Sequence, residues 1–193
     1  PDTGRVLVDG VDLRTVELAS YRSQLGLVLQ DEFLFDGTIR ENLAYGNPHA
    51  TEEQIQEAAR VTYVDRFVST LPDGYDTVIG ERGANMSGGQ RQCVAIARTA
   101  TFHSKLTIMD EPTAALGPQE TARTLKLIQV LKEQGLAVIV ISHSLDDVFE
   151  ISDRIHVMRR GECAGVVRTA DRSPLDYLIK PLADYFAKAF RDS

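Results

Sequence analysis

Two short, mainly apolar runs constrain the fold more than any other feature of the sequence. They are KLTIMD at residues 105–110 and LAVIVIS at 136–142, and each is typical of a buried strand. The intervening PQETARTLKLIQVLKEQG predicts an amphipathic helix with Pro118 in its first turn and Gly135 at its end. Because strand, helix and strand follow one another here, we expect an α/β fold with a mostly parallel sheet covered on both faces.

The rest of the chain continues this alternation. RVLVDG at 5–10 and LGLVLQ at 25–30 predict strands, and SLDDVFEISDR predicts a helix that begins at Ser144. RIHVMRRG and ECAGVVR then predict a hairpin, and SPLDYLIKPLADYFAKAF predicts a helical tail interrupted at Pro181. A length of 193 residues is enough for one good core.

The stretch from about residue 38 to 100 has a different, helical texture. Thr51 and Gln54 have the spacing of a capping box, and a second helix is expected to begin at Ser87 in SGGQRQCVAIART. We predict a helical subdomain here, inserted in a domain that spans 1–193. The predicted buried face of its last helix comprises Cys93, Ile96, Ala97 and Ala100.

Composition excludes several functional classes. The formal net charge of −7 argues against a nucleic-acid binder, which usually presents a basic surface. The longest apolar run, Leu136–Ile141, is far shorter than the roughly 20 residues of a membrane span. The two cysteines, Cys93 and Cys163, have no CxxC spacing, so they are interpreted as ordinary thiols.

Polar residues whose side chains can bind a metal or take part in catalysis follow three of the predicted strands. Gln30 ends LGLVLQ, Asp110 ends KLTIMD and is followed by Glu111, and His143 follows LAVIVIS. In open α/β sheets ligands bind beyond the carboxyl ends of the strands, where an Asp can hold Mg²⁺ and a neighbouring carboxylate can activate water. Each residue taken alone has an ordinary alternative, such as a helix cap for the Asp-Glu pair or a structural role for His143.

SGGQ, residues 87–90, has two readings as well. It can be a simple turn that opens a helix, with Ser87 as the cap. Its glycines can also let backbone N–H groups approach an anion at the positive end of the helix. The order of Gln30, SGGQ, Asp110-Glu111 and His143 along one chain decides between these alternatives.

That order resembles the ATP-binding cassette (ABC) ATPases over nearly the whole chain. Gln30 matches the Q-loop, MSGGQ the signature motif, LTIMDE the Walker B strand, and His143 the switch histidine. The resemblance implies a P-loop NTPase-like fold and an ATPase subunit or fragment of an ABC transporter at the cytoplasmic face of the membrane, coupling MgATP binding and hydrolysis to transport.

The resemblance also implies roles for the site residues. Asp110 and Gln30 would hold Mg²⁺, Glu111 would be the general base, and His143 would contact the γ-phosphate of ATP. Ser87, Gly88, Gly89 and Gln90 would contact the nucleotide of a second cassette, paired head to tail. Transmembrane transporter domains are the other implied partner, met at Gln30 and at Glu81-Arg82-Gly83.

Three departures from the family pattern affect these expectations. The 193 residues contain no GxxxxGK[ST] Walker A loop, so we expect an N-terminally truncated cassette that is inactive by itself. Gly117 stands where the family often has Asp. Residues up to about Thr99 look like an export-type cassette, whereas those from about Lys105 look like monosaccharide-importer cassettes, which suggests a chimera.

Two other functions stay open at this stage. A degenerate cassette that acts only as an interaction module would also lack Walker A. A cassette ATPase of the DNA-repair type would share Walker B and the signature, but such proteins place a long coiled coil between the two halves of the nucleotide site, which here would fall between Gln30 and Ser87. The interval here is short and has no sustained heptads.

Overall fold

The computed structural model describes residues 2–30, 33–80, 83–101 and 104–171. They form two compact units, one ending at Ile141 and the other beginning at Ser142. The strands in the described residues are β1 Leu7–Val8, β2 Val11–Asp12, β3 Leu25–Val28, β4 Gly37–Thr38, β5 Val78–Ile79, β6 Leu106–Asp110, β7 Ala137–Ile141, β8 Arg154–Arg159 and β9 Glu162–Arg168. The helices are α1 Leu18–Arg22, α2 Ile39–Ala44, α3 Glu52–Val61, α4 Val64–Val68, α5 Gly88–Thr101, α6 Pro118–Glu133 and α7 Leu145–Ile151.

A three-stranded parallel sheet in the order β3-β6-β7 confirms the predicted α/β class. The register places Leu25 opposite Leu106 and Leu106 opposite Ala137, so all three strands run together toward one edge. Helix α6 makes the crossover from β6 to β7, as the sequence predicted. Pro118 occupies its first turn and Gly135 follows its end with φ +88°.

One face of this sheet is exposed, which corrects the expectation of cover on both faces. Leu27 and Leu29 are about half exposed (52% and 51%), as are Ile139 and Ile141 (48% and 51%). LAVIVIS is therefore not a buried strand, although its composition predicts one. On the opposite face Val28 and Met109 are buried, and Val138 and Val140 of β7 are half-buried.

The region between β3 and β6 contains helices α2 to α5, which pack around one apolar core. Helices α2, α3 and α4 are 6, 10 and 5 residues long, so none has the length of a coiled coil. The predicted capping box of Thr51 and Gln54 is present. The division of the chain at residues 38 and 100 stays a prediction. The buried members of the shared core are Leu34, Ile39, Leu43, Ile55, Ala59, Val64, Val68, Ile79, Val94 and Ala97.

Helix α5 lies at the centre of this region. Its buried surface is wider than the single helix face that the periodicity predicts. Ile96 and Ala97 are fully buried as predicted, whereas Cys93 and Ala100 are only half-buried. Val94 and Ala95, which fall outside the predicted face, are also buried. Because core residues and strands surround this helix, periodicity alone gave too narrow a face.

An ionic network fixes the outer side of the same region. The Arg40 guanidinium donates to Asp76 at 2.8 Å and to Glu52 on α3. These hydrogen bonds raise the pKa of Arg40, Asp76 contributing most, and lower the pKa values of both carboxyls. Tyr75, whose ring lies 5.7 Å from the Arg40 guanidinium, has its pKa raised chiefly by burial.

Two antiparallel hairpins, β1-β2 and β8-β9, form outside the parallel sheet. Within RVLVDG only Leu7–Val8 is a strand, because the chain turns back through Asp9 and Gly10, both at positive φ, and β1 then pairs with β2. In the second unit, α7 begins after the cap Ser144 and is followed by the predicted β8-β9 hairpin. The predicted helical tail lies outside the described residues. No helix in the described ranges has the length and apolar character to cross a bilayer.

Candidate functional site

The carboxyl edge of the parallel sheet brings Gln30 and Asp110 to the same side of the molecule. Val28 of β3 lies opposite Met109 of β6, and each strand ends within two residues of that pair. Asp110 is half-buried and Gln30 is exposed. The sheet topology therefore supplies the convergence that the strand-end pattern predicted.

The donors at this edge suit a magnesium ion that arrives with a nucleotide. They are an amide oxygen and a carboxylate, and Mg²⁺ prefers such ligands, completing its shell with phosphates and water. Among the described residues, no group of three or more His, Cys, Asp or Glu side chains is arranged to hold a metal by itself. The roles of Asp110 and Gln30 as magnesium ligands stay predictions.

Glu111 occupies a strained backbone position directly after β6. Its φ is +48°, in the left-handed region that costs an L-residue about 1–2 kcal/mol. Its N–H donates to the carbonyl of Ile141 at 2.8 Å, and its own carbonyl accepts from Ala114 at 3.2 Å. The turn thus holds the half-buried Glu111 at the end of the strand, which is where a catalytic carboxylate would act. No sequence signal predicted this conformation.

The start of helix α5 is a capping box built from two residues of the predicted signature motif. The Ser87 hydroxyl accepts from the Gln90 N–H at 3.2 Å, and the Gln90 side-chain oxygen accepts from the Ser87 N–H at 2.9 Å. Gln90 therefore has a structural task, whatever it does toward a nucleotide. Because first-turn amides have no partner within a helix, Gly88 and Gly89 present N–H groups beside the exposed Ser87.

Glu120 joins this helix start to the turn that precedes α6. One of its carboxylate oxygens accepts from the Gly117 N–H at 3.2 Å. Its Cγ and the other carboxylate oxygen lie 3.0 Å from the point where a Cβ on Gly89 would stand. Glu120 thus fills the space that any side chain at residue 89 would need. Sequence reasoning missed this residue, although a Glu three positions after the start of a helix is a capping signal.

The segment after Gln30 is anchored to the helical region by a buried amide and a cation. Asn42 accepts from the Phe35 N–H at 2.8 Å and donates to the Phe35 carbonyl at 2.9 Å. The Arg98 guanidinium lies 5.4 Å from the Phe35 ring, and burial lowers its pKa. These contacts tie the chain that follows β3 to α2 and α5. Neither Asn42 nor Arg98 was predicted as a site residue.

The other predicted positions stand as follows. His143 lies in the second unit, between β7 and the cap of α7, and its role stays a prediction. Glu81 and Arg82 lie outside the described residues. Gly83 has φ +75°, and a Cβ there would meet Arg91 at 2.8 Å, so the position requires glycine.

Comparisons with known proteins identify the family. A family model described as "ABC transporter" matches residues 1–114, more than half of the chain. The chain belongs to the ABC transporter family. Its fold, with the parallel sheet and the helices between β3 and β6, is that of an ABC ATPase domain.

Similar proteins give the same result. The chain is 41% identical over 160 residues to a fatty acid ABC transporter ATP-binding/permease protein of Mycobacterium bovis. It is also 41% identical over 159 residues to an ATP-dependent lipid A-core flippase of Syntrophus aciditrophicus. These alignments cover 83% and 82% of this chain, but only 25% and 26% of the relatives.

A solved structure extends the likeness over almost the whole chain. A bacterial Atm1-family ABC exporter with ATP bound superposes with a TM-score of 0.82 at 35% identity, covering 97% of this chain and 32% of that one. The chain thus spans about a quarter of the length of its curated relatives and a third of this exporter. The relatives' names mention different cargoes, so they assign none to this chain.

Proposed function

We propose that this chain is a nucleotide-binding ATPase subunit, or part of one, of an ABC transporter, and that it couples MgATP binding and hydrolysis to transmembrane transport. The observation that carries the proposal is the convergence of Gln30 and Asp110 at one sheet edge, followed directly by the strained Glu111. The proposed place of work is the cytoplasmic face of the membrane, beside the transmembrane domains of the transporter.

Each side chain has a task in this proposal. Asp110 and Gln30 hold Mg²⁺, which neutralises charge on the phosphates when it is bound. Glu111 takes the proton of the water that attacks the γ-phosphorus, and His143 donates to a γ-phosphate oxygen. The half-buried setting of Glu111 and its fixed backbone support the first of these two assignments, because a general base must be held in one position.

The signature segment works on a second cassette. Ser87, Gly88 and Gly89 meet the γ-phosphate of a nucleotide bound to the partner, from the positive end of α5. The observed cap supports this because it holds the Ser87 oxygen at the mouth of the helix while its hydroxyl hydrogen can still donate. Gln90 contributes by keeping the cap closed.

Nucleotide-dependent pairing tests the proposal. The 193-residue chain is mixed with a complete ATPase domain of the family whose own signature Ser is changed to Arg, and association is followed by analytical ultracentrifugation. We expect association with MgATP and none without it. Association that ignores MgATP would contradict the proposal.

A matched pair of variants isolates the phosphate contact. Ser87→Asn and Ser87→Asp both preserve the N-cap, because Asn and Asp cap helices as well as Ser does. Only Asp adds a negative charge facing the phosphate. We expect Ser87→Asn to associate and Ser87→Asp to lose MgATP-dependent association, and equal behaviour of the two variants would show that SGGQ is only a helix start.

A further inference from the structure

One side chain joins two segments of the predicted site. They are the loop that follows Glu111, the predicted general base, and the SGGQ turn, which is predicted to bind phosphate. Residues 112–117 lead from Glu111 to Gly117, the cap position of α6. Glu120, one turn into α6, accepts the Gly117 N–H and contacts Gly89 at the start of α5. A single carboxylate therefore touches both segments.

From this contact we propose that Glu120 is a positioning residue, which holds the SGGQ turn in register with the loop after Glu111. The inference rests on the proposed function and adds to it a residue outside the motifs. In a head-to-tail pair, Glu111 serves the chain's own nucleotide and SGGQ serves the partner's. Glu120 thereby links the two nucleotide sites of the pair through one chain.

The geometry shows how the link works. Helix α5 begins with two glycines, whose backbone is the most flexible of any residue, and the capping box fixes only Ser87 and Gln90. The Glu120 side chain occupies the space beside Gly89 that glycine leaves open, 3.0 Å from the point where a Cβ would stand. It therefore restricts the glycine backbone whose N–H groups meet the phosphate.

The same association assay, with the complete ATPase domain whose signature Ser is changed to Arg, tests Glu120 directly. Glu120→Ala removes both contacts and should weaken MgATP-dependent association about tenfold, since small displacements of binding groups are costly. Glu120→Gln keeps the shape and an oxygen that can accept from Gly117, so it should associate within about threefold of the parent chain. Gln119→Ala, an exposed neighbour on the same turn, should associate like the parent chain.

Thermal unfolding of the free chains separates positioning from general stability. The loss of one helix cap should lower the melting temperature by only about 5 °C or less, so Glu120→Ala should remain folded at the assay temperature. A second route is Gly89→Ala, which displaces the flexible end of Glu120. It should weaken association in the parent chain and have a smaller effect when Glu120 is already Ala.

The outcomes are distinct. If the parent chain does not associate with MgATP, the proposed function fails and Glu120 has no site to position. If the parent associates, while Ser87→Asp does not, and Glu120→Ala associates like the parent, the inference about Glu120 is wrong. It is also wrong if Glu120→Gln loses as much as Glu120→Ala, because charge rather than positioning would then be the cause.

Discussion

Replacing Gly26 with Ala should destabilise the chain at the point where strand β3 meets both its neighbour strand and helix α5. A Cβ at this position would lie 2.8 Å from the Thr107 Oγ1 and 2.8 Å from the Thr99 Cβ. Both threonines are buried, at 0% and 2% exposure. Ordinary carbon contacts need about 3.5–4.0 Å, so the new methyl group cannot fit without displacing one of them.

The two neighbours cannot yield at equal cost. The Thr99 Cβ is bonded directly to the α5 backbone, so it moves only if the helix moves. The Thr107 hydroxyl can rotate away, but it then loses its hydrogen bond with the buried Ser104 hydroxyl, which now lies 3.3 Å from it. Overpacking of a filled core costs about 1–3 kcal/mol, and we expect the upper half of that range, about 2–3 kcal/mol. In a chain of this length, the melting temperature should fall by about 4–12 °C.

Urea unfolding followed by circular dichroism measures the free energy of unfolding, with Gly80→Ala as the matched control. Gly80 has an ordinary φ, and a Cβ there would meet Asn85 at a comfortable 3.9 Å. The double variant Gly26→Ala with Thr107→Ala should recover part of the loss, because it removes one of the two clashes. If Gly26→Ala lies within about 0.5 kcal/mol of Gly80→Ala, the reasoning about close approach is refuted.

Three further predictions concern strain, pH and nucleotide. Glu111→Gly should be more stable than Glu111→Ala by about 1 kcal/mol in urea unfolding, since glycine tolerates the left-handed backbone; equal stabilities would contradict the strain. Arg40 holds the pKa values of Glu52 and Asp76 below their ordinary 4.5 and 3.8. The ion pairs therefore contribute to the free energy of unfolding above pH 4.5, and this contribution is lost as the pH falls through the lowered pKa values. Arg40→Met should therefore be less stable than the parent at pH 7, and the difference should shrink as the pH falls through the lowered pKa values of the two carboxyls in pH-dependent unfolding. A difference that stays constant with pH would count against the ion pairs. In calorimetry the 193-residue chain alone should bind MgATP weakly and hydrolyse none above background, because its sequence has no GxxxxGK[ST] cradle; low-micromolar binding with turnover would show that another segment replaces the cradle.

The sequence predicted where helices and strands begin and end better than it predicted which of their residues are buried. Local signals are strong at Thr51, Ser87, Pro118 and Gly135, where capping and stop residues act within one turn, and the structure places helix ends at each of them. Burial depends on residues distant in the chain. That is why LAVIVIS reads as a buried strand and yet places Ile139 and Ile141 at an open face.

The same distinction applies to the site. Strand-end positions such as Gln30 and Asp110 follow from topology, which apolar runs indicate well. The contact between Glu120 and Gly89 joins two segments thirty-one positions apart, and no periodicity reports it. The left-handed backbone of Glu111 is set by hydrogen bonds to Ile141 and Ala114, so it is visible only once the strands are paired.

The open face of the parallel sheet has a thermodynamic consequence. Leu27, Leu29, Ile139 and Ile141 already meet water in the folded chain, so unfolding exposes less new apolar surface than in a sheet covered on both sides. The heat-capacity change of unfolding should therefore fall below the usual 12–15 cal/mol/K per residue, which flattens the dependence of stability on temperature. Any molecule that covers these four side chains should bind with a negative heat-capacity change. This change is measurable as a binding enthalpy that becomes more favourable on warming.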